Sequence, residues 1–189
     1  MTTIAAIQGD GWSVIGWDSR MVAEDNGRVY SAGHGSSKVV KHNGYLLGAA
    51  GDVRIINVLS YALNLPRPEQ VRGLRLDRFI TAKFIPALRD VFDREGITTS
   101  QDTGTDSTVM VVVNATVYEI GGDWSWVRDE SGLYAIGSGG DFALGALAMC
   151  DVSGVDFAKK SVVTALEVAS RFDAGTAAPF HTASQLSLG

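Results

Sequence analysis

The chain has 189 residues, of which 46% are hydrophobic and 20% are charged, and 16 Lys and Arg against 21 Asp and Glu give a net charge of -5. This composition predicts one globular domain with a substantial core and excludes an intrinsically disordered chain. The acidic balance and the lack of a basic run in the sequence give nucleic-acid binding little support.

The cysteine and histidine residues indicate the compartment of the protein and give no sign of a metal site. The single Cys150 cannot form an intramolecular disulfide, which fits a reducing compartment, and its apolar surroundings favour a buried structural thiol. The histidines His34, His42 and His181 are too widely spaced for a metal-ligand pattern. The sequence has no signal peptide and no apolar run long enough to cross a bilayer. We therefore expect a cytoplasmic protein that binds neither membrane nor nucleic acid.

The first predicted element is a β-hairpin. Residues 2–8 and 12–18 are rich in β-forming side chains, and Gly9-Asp10-Gly11 between them is a strong turn signal. An antiparallel pair would place Thr2 beside Asp18 at the free ends of the two strands.

Five further strands and four helices follow from the apolar patterns. The strands are predicted at 37–41, 45–50, 108–113, 116–120 and 133–136. The helices are predicted at 53–64, 74–95, 142–149 and 156–171. Asp52 is placed to cap the first helix, Pro86 should kink the second, and Gly96 should end it. Residues 21–35 and 97–107 predict loops, and no element is predicted in the small, polar tail 173–189.

The order of these elements is strands, two helices, strands, two helices. Such runs predict an α+β fold rather than alternating α/β units. Two helix pairs and two antiparallel sheets suggest a four-layer αββα sandwich, with the sheets facing each other and the helices outside. We expect one domain over residues 1–189.

Thr2 is a candidate nucleophile. If Met1 is removed, Thr2 carries a hydroxyl and a free α-amine on one residue, and that amine titrates at about pH 7.7–8.0. A threonine activated by its own terminal amine is a known nucleophile. The alternative is that Thr2 simply begins an edge strand.

Asp18, Lys38 and Gly51 are candidate partners for this nucleophile. A lysine ammonium near Thr2 would favour the deprotonated hydroxyl and the neutral amine, and a carboxylate would hold that lysine in place. The Gly51 N–H, between a buried strand and a helix, could point at a developing oxyanion. The alternatives are a solvated ion pair worth little and an ordinary helix cap at Asp52.

Two further motifs lie towards the C-terminus. The run Gly137-Ser138-Gly139-Gly140 is weak as a phosphate cradle because no Gly-Lys-Ser/Thr follows it. It suits a tight turn that presents Ser138 at a helix N-terminus, although a plain strand-to-helix turn is an equal alternative. Asp173 and Thr176 offer a carboxylate and a hydroxyl on one turn, where such residues are usually turn formers.

Six of these motifs follow one another in the order of the proteasome β-type subunits, and nearly the whole chain resembles the HslV-like peptidases. The matching motifs are Thr2-Thr3-Ile4, Asp18, Ser37-Lys38-Val39, Ala50-Gly51, Gly137-Ser138-Gly139-Gly140 and Asp173-x-x-Thr176. Phe180-His181-Thr182 near the tail is similar as well. Three departures are the Asp52 where the family often has glycine, the Thr176 in place of serine, and the longer 21–35 segment.

The resemblance implies an N-terminal-nucleophile hydrolase fold and a threonine endopeptidase that needs no cofactor. The implied catalytic residues are Thr2, Asp18, Lys38, Gly51, Ser138, Asp173 and Thr176. The implied first substrate pocket is formed by Met21, Ser36, Ala49 and Val53. Thr2 would attack the scissile carbonyl once Met1 is lost, and Ser138, Asp173 and Thr176 would hydrogen-bond its amine and relay protons.

The resemblance also implies partners, namely stacked homo-oligomeric rings, an AAA+ unfoldase of the HslU type and unfolded polypeptide substrates. Two alternatives stay open at this point. One is a non-catalytic ring or scaffold subunit, which retained Met1 would favour. The other is a non-peptidase amidase of the same fold class.

Overall fold

The computed structural model describes residues 2–23, 26–33, 36–97, 105 and 107–187. The strands are β1 (Thr3–Gly9), β2 (Trp12–Trp17), β3 (Arg20–Val22), β4 (Val29–Ser31), β5 (Val39–His42), β6 (Tyr45–Ala50), β7 (Thr108–Val113), β8 (Thr116–Ile120), β9 (Trp126–Val127), β10 (Leu133–Gly137) and β11 (His181–Leu186). The helices are α1 (Val53–Tyr61), α2 (Leu74–Phe79), α3 (Ile85–Arg94), α4 (Gly140–Leu147) and α5 (Val155–Phe172). A π-helical turn over Ile80–Phe84 joins α2 to α3 in one continuous helix.

Two antiparallel sheets form the centre of the molecule. One has the strand order β10-β1-β2-β11 and the other the order β5-β6-β7-β8-β9, while β3 and β4 form a separate hairpin. Apolar side chains of α4 and α5 pack on the four-stranded sheet, and those of α1, α2 and α3 pack on the five-stranded sheet. The predicted four-layer αββα sandwich is therefore confirmed.

The alternation of side chains along β1 explains why this strand is buried on both faces. Ile4 and Ala6 pack into the apolar cluster between the sheets, whereas Ala5 and Ile7 pack against α4 and α5. Successive strand residues point to opposite faces, so an apolar run without alternation needs cover on both sides. β1 is thus a central strand, and its first residues lie inside the protein rather than at an edge.

The helix predictions hold with small shifts at the ends. The Asp52 carboxylate accepts the Arg54 N–H at 2.8 Å and caps α1, as predicted. α1 ends at Tyr61, three residues before the predicted end. Pro66 follows shortly after, and a proline disfavours the helical conformation of the residue before it, here Leu65. α4 covers Gly140–Leu147 instead of 142–149. Among the described helices, none combines the length and the hydropathy that a bilayer crossing requires.

Pro86 acts through the π-helical turn rather than through a break in the helix. Proline has no N–H to donate to the preceding turn, and just before it the Ile85 N–H bonds the carbonyl of Ile80, five residues earlier. The wider π-helical turn accommodates the proline, so the helix continues past Pro86. Gly96 has a φ of +67° and follows the last helical turn, which confirms it as the helix terminus.

Two predictions of irregular structure are wrong. Residues 21–35 were expected to be a loop, but β3 and β4 pair there, with Met21 opposite Tyr30. The tail contains β11, which pairs with β2 along its whole length. Both cases are half-exposed or exposed strands, so their patterns contain little of the apolar signal that reveals buried strands. Most of the predicted loop 97–107 lies outside the described residues.

Candidate active site

The strand register of the four-stranded sheet brings the predicted site residues to one end. Thr3 lies opposite Gly137 of β10, and Ile4 lies opposite Trp17 of β2. The Asp18 N–H donates to the Thr3 carbonyl at 3.3 Å. The start of β1 is therefore held between the ends of β2 and β10. The hairpin signal predicts the approach to the end of β2, whereas the pairing with β10 is seen only in the structure.

Asp18 and Lys38 form a buried ion pair. Lys38 Nζ lies 2.6 Å from Asp18 Oδ1, and neither side chain has any exposed area. The same oxygen accepts the Thr3 N–H at 3.0 Å, and Oδ2 accepts the N–H groups of Arg20 and Ala177 at 2.9 and 3.1 Å. These contacts exclude a solvated surface pair. An ionised carboxylate, which only accepts hydrogen bonds, suits four converging donors.

The electrostatic environment of Lys38 changes its proton affinity. Burial lowers the pKa of Lys38 from its ordinary value of 10.5, and the carboxylates of Asp18 and, more weakly, Asp173 oppose that shift without cancelling it. Removing an ammonium from water disfavours its charged form, while a nearby negative charge favours it. Lys38 therefore releases its proton more readily than a surface lysine does.

Asp173 is the second carboxylate of the site. Its Oδ2 accepts the Ser138 hydroxyl at 2.9 Å and the Thr176 hydroxyl at 2.5 Å, and its Oδ1 accepts the Gly175 N–H at 3.2 Å. The Thr2 N–H in turn donates to Ser138 Oγ at 3.4 Å. Ser138 thus stands between the nitrogen of the candidate nucleophile and a carboxylate.

Thr176 joins Asp173 to the residue that follows Thr2. Its hydroxyl binds the Thr3 hydroxyl and Asp173, and the hydrogen bond to the Thr2 amine that the resemblance implies stays a prediction. Thr3 was not singled out from the sequence. One signal was available, because Thr3 shares the strand face of Ala5 and Ile7, which points towards α4 and α5.

The glycines beside Ser138 make room for the two threonines. Gly137 has a φ of +93°, and a Cβ there would lie 1.9 Å from the Thr2 carbonyl oxygen. A Cβ at Gly139 would lie 2.2 Å from Thr3 Oγ1. The run is therefore a tight turn that packs directly on the start of β1. It places Ser138 two residues before α4.

Gly51 lies in the turn between β6 and α1. Its φ of +134° belongs to the region that favours glycine, and a Cβ there would lie 2.2 Å from Ser107 Oγ. The neighbouring Ala50 side chain lies beside Gly137, since a Cβ at Gly137 would be 3.3 Å from the Ala50 Cβ. Asp52 caps α1, so its carboxylate is engaged outside the cluster around Thr2.

The four residues of the predicted substrate pocket lie in different environments. Met21 and Ser36 are half-buried, Ala49 is buried on the helix side of β6, and Val53 is exposed at the start of α1. A cavity of about 430 Å³ beside the end of β2 is lined by other residues, including Trp17 and Ser19. The described structure does not gather the four around that cavity.

His181 ties β11 to the end of β2. Its ring stacks on Trp17 with 5.6 Å between centroids, and its Nε2 lies 2.9 Å from Ser19 Oγ. The Ser19 hydroxyl donates to the Pro179 carbonyl at 2.8 Å. Among the described residues, no group of three or more His, Cys, Asp or Glu side chains is placed to hold a metal ion.

Solved structures with the same architecture exist. BPH from Thiobacillus denitrificans in complex with epoxomicin matches with a TM-score of 0.78 and 18% identity over 100% of both chains. A second structure of that BPH matches with a TM-score of 0.76 and 17% identity over 98% of both chains. The eukaryotic HslV from Trypanosoma brucei matches with a TM-score of 0.60 and 20% identity, covering 97% of this chain and 98% of that one.

The chain has an HslV-like proteasome β-subunit fold. The resemblance noted in the sequence motifs is thereby confirmed at the level of the fold. No family profile matches the sequence, and no curated protein does. The HslV-like fold spans nearly the whole chain, so it includes both helix layers and the residues around Thr2.

Proposed function

We propose that this chain is the subunit of a self-compartmentalising threonine endopeptidase that cleaves unfolded polypeptides with Thr2 after removal of Met1. One observation carries the proposal. The Thr2 nitrogen donates to Ser138 Oγ, which donates to Asp173, at the end of a strand held by the buried Asp18–Lys38 pair. A weak hydroxyl nucleophile requires this kind of charged and hydrogen-bonded support.

The first chemical step is attack on the scissile peptide carbonyl. The Thr2 hydroxyl oxygen bonds to the carbonyl carbon while its proton passes to the neutral α-amine. Before the attack, the positive charge of Lys38 keeps the free amine neutral and so able to accept a proton. During the attack, the same charge stabilises the developing alkoxide. Asp18 keeps the ammonium in place through the 2.6 Å contact.

The tetrahedral intermediate and its breakdown use the backbone of Gly51. We assign the Gly51 N–H as the donor to the oxyanion. Such a hydrogen bond lowers the activation barrier most when the donor is already oriented before the reaction. The C–N bond then breaks, and the ammonium of Thr2 gives its proton to the leaving amine. Water hydrolyses the remaining ester and regenerates Thr2, so no step needs a cofactor.

We propose that the protein works in the cytoplasm as stacked homo-oligomeric rings, possible partners being AAA+ unfoldases of the HslU type. The outer surface of α4 and α5 supports self-association. Phe142 and Phe172 stack there with 5.4 Å between centroids while 43% and 67% exposed. Exposed aromatic pairs of this kind are common in protein interfaces.

The proposed function is tested by removing the nucleophile. Intact-mass spectrometry of the native protein is expected to find Met1 absent, and Thr2→Ala is expected to lower turnover of a fluorogenic peptide by at least about 1,000-fold. Thr2→Ser keeps the hydroxyl and the amine and serves as the matched control, with activity retained. Unchanged turnover in Thr2→Ala would contradict the proposed function.

The same preparation separates the alternatives. Retained Met1 together with no turnover favours a non-catalytic ring subunit. A stable monomer or dimer with Thr2-dependent turnover of small amides favours an amidase. Epoxomicin, which is present in a BPH structure, is a second probe, and we expect it to bind the wild type and not Thr2→Ala.

A bell-shaped pH dependence of kcat/KM is expected. The acid limb should rise at or below about pH 7.7–8.0, the range of a free α-amine, because the positive charge of Lys38 favours the neutral form of the Thr2 amine. The alkaline limb should fall below pH 10.5, because burial lowers the pKa of Lys38 from that value and loss of its proton removes the stabilising charge. Initial rates across pH 6–11 would measure both limbs. Activity that holds constant past pH 10.5 would contradict the role given to Lys38.

A further inference from the structure

We propose that Thr3 is a positioning residue of this site, and the proposal rests on the function proposed above. Thr3 lies directly after the candidate nucleophile and has no exposed area. Its backbone N–H binds Asp18, and its hydroxyl binds Thr176, which binds Asp173. Thr3 therefore connects both carboxylates of the site to the strand that carries Thr2.

The direction of the hydrogen bonds on the Asp173 side can be derived. A carboxylate only accepts, so Thr176 donates its one hydroxyl proton to Asp173 Oδ2 at 2.5 Å. The Thr176 oxygen must then accept from the Thr3 hydroxyl, which is its other partner. The chain of donors runs from Thr3 through Thr176 to Asp173.

The direction of the Ser138 hydrogen bonds can be derived in the same way. Its hydroxyl lies 2.9 Å from Asp173 Oδ2 and 3.5 Å from the Thr2 carbonyl, so its proton goes to the closer and charged acceptor. Its oxygen is then free to accept the Thr2 N–H. The orientation of Asp173, which Thr3 helps to set, thus decides where the acceptor for the Thr2 nitrogen lies.

The other connection of Thr3 leads to the buried ion pair. The Thr3 N–H donates at 3.0 Å to the same Asp18 oxygen that Lys38 contacts. The backbone next to Thr2 is thereby fixed relative to the Lys38 ammonium. Thr3 therefore keeps Thr2 in place relative to Ser138, which accepts from the Thr2 nitrogen, and relative to the Lys38 ammonium.

A purely structural role does not explain a hydroxyl at this position. Ala5 and Ile7 follow on the same strand face and pack among apolar side chains of α4 and α5. A buried hydroxyl is costly unless it is hydrogen-bonded, and valine would fill the same volume. The space that Gly139 leaves next to Thr3 Oγ1 fits the hydroxyl pair, since a Cβ there would lie 2.2 Å from that oxygen.

The test compares Thr3→Val with Thr3→Ser. Thr3→Val removes the donor at constant shape, and we expect kcat for the fluorogenic peptide to fall about 10- to 100-fold with KM changed less than about threefold, because misplaced reacting groups lose rate rather than binding. Thr3→Ser restores the donor and should keep kcat within about threefold. Equal kcat in wild type and Thr3→Val, with folding verified by circular dichroism, would overturn the inference.

A double-mutant cycle with Thr176→Val tests whether Thr3 acts on the site through the Thr176 hydroxyl. If Thr3 acts through Thr176, adding Thr3→Val to Thr176→Val should lower kcat less than about twofold further, whereas independent effects would multiply and contradict the route. Should Thr3→Val fail to fold, Thr3→Cys, which is a weak donor, replaces it. A Cys variant as active as Thr3→Ser then overturns the inference.

The two proposals fail in different ways. Turnover that persists in Thr2→Ala overturns the proposed function and this inference with it. Turnover that requires Thr2 but is unaffected by Thr3→Val overturns the inference alone.

Discussion

Replacing Asp18 by alanine is expected to destabilise the folded chain by about 3–5 kcal/mol, because removing one partner of a buried ion pair leaves the other charge poorly compensated. Three backbone N–H groups also lose their acceptor, those of Thr3, Arg20 and Ala177. Of these three residues Thr3 is fully buried, and a buried donor without an acceptor adds to the loss. Peptidase activity should disappear together with the stability, since Asp18 holds both Lys38 and the backbone next to Thr2.

The measurement is urea unfolding of wild type and Asp18→Ala, followed by circular dichroism. Glu69→Ala is the matched control, because Lys83 Nζ lies 2.5 Å from Glu69 Oε1 while both side chains are about half exposed. An exposed pair contributes only about 0–1 kcal/mol. Similar losses in the two variants would contradict the claim that burial, rather than the short contact, makes the Asp18 pair important.

Gly137→Ala is expected to abolish activity and to lower the free energy of unfolding by about 2–5 kcal/mol, the combined effect of a left-handed backbone and an overpacked site. Gly137 has a φ of +93°, and an added Cβ would lie 1.9 Å from the Thr2 carbonyl oxygen. Backbone atoms cannot yield as a flexible side chain can. Either the turn or the start of β1 must move, and both carry site residues.

Two other glycines separate the contributions to this effect. Gly96 has a φ of +67° with nothing within 4 Å of an added Cβ, so Gly96→Ala measures the backbone strain alone, about 1–2 kcal/mol. Gly145 lies in α4 with equally open space, and Gly145→Ala should stabilise the helix by up to about 1 kcal/mol. Thermal unfolding and peptide turnover of all three would be measured. A Gly137→Ala variant that behaves like Gly96→Ala would show that the contact with Thr2 is unimportant.

Much of the fold could be predicted because its central elements have strong local signals. The turn at Gly9-Asp10-Gly11 sets the hairpin of β1 and β2, which brings Asp18 beside the start of β1 as expected. The hairpin of β3 and β4 and the strand β11 could not be predicted, because exposed or half-exposed strands depend on backbone pairing with a neighbour more than on an apolar pattern.

The sequence by itself determined the central strands and the helices, the chain order of the site motifs and the approach of Asp18 to the start of β1. Only the tertiary structure decided that Lys38 is fully buried with Asp18, that Ser138 accepts from the Thr2 nitrogen, and that Thr176 bonds Thr3. The physical reason is distance along the chain. Thr3 and Thr176 are 173 residues apart, and local periodicity reports which face a residue occupies but not which distant hydroxyl meets it there.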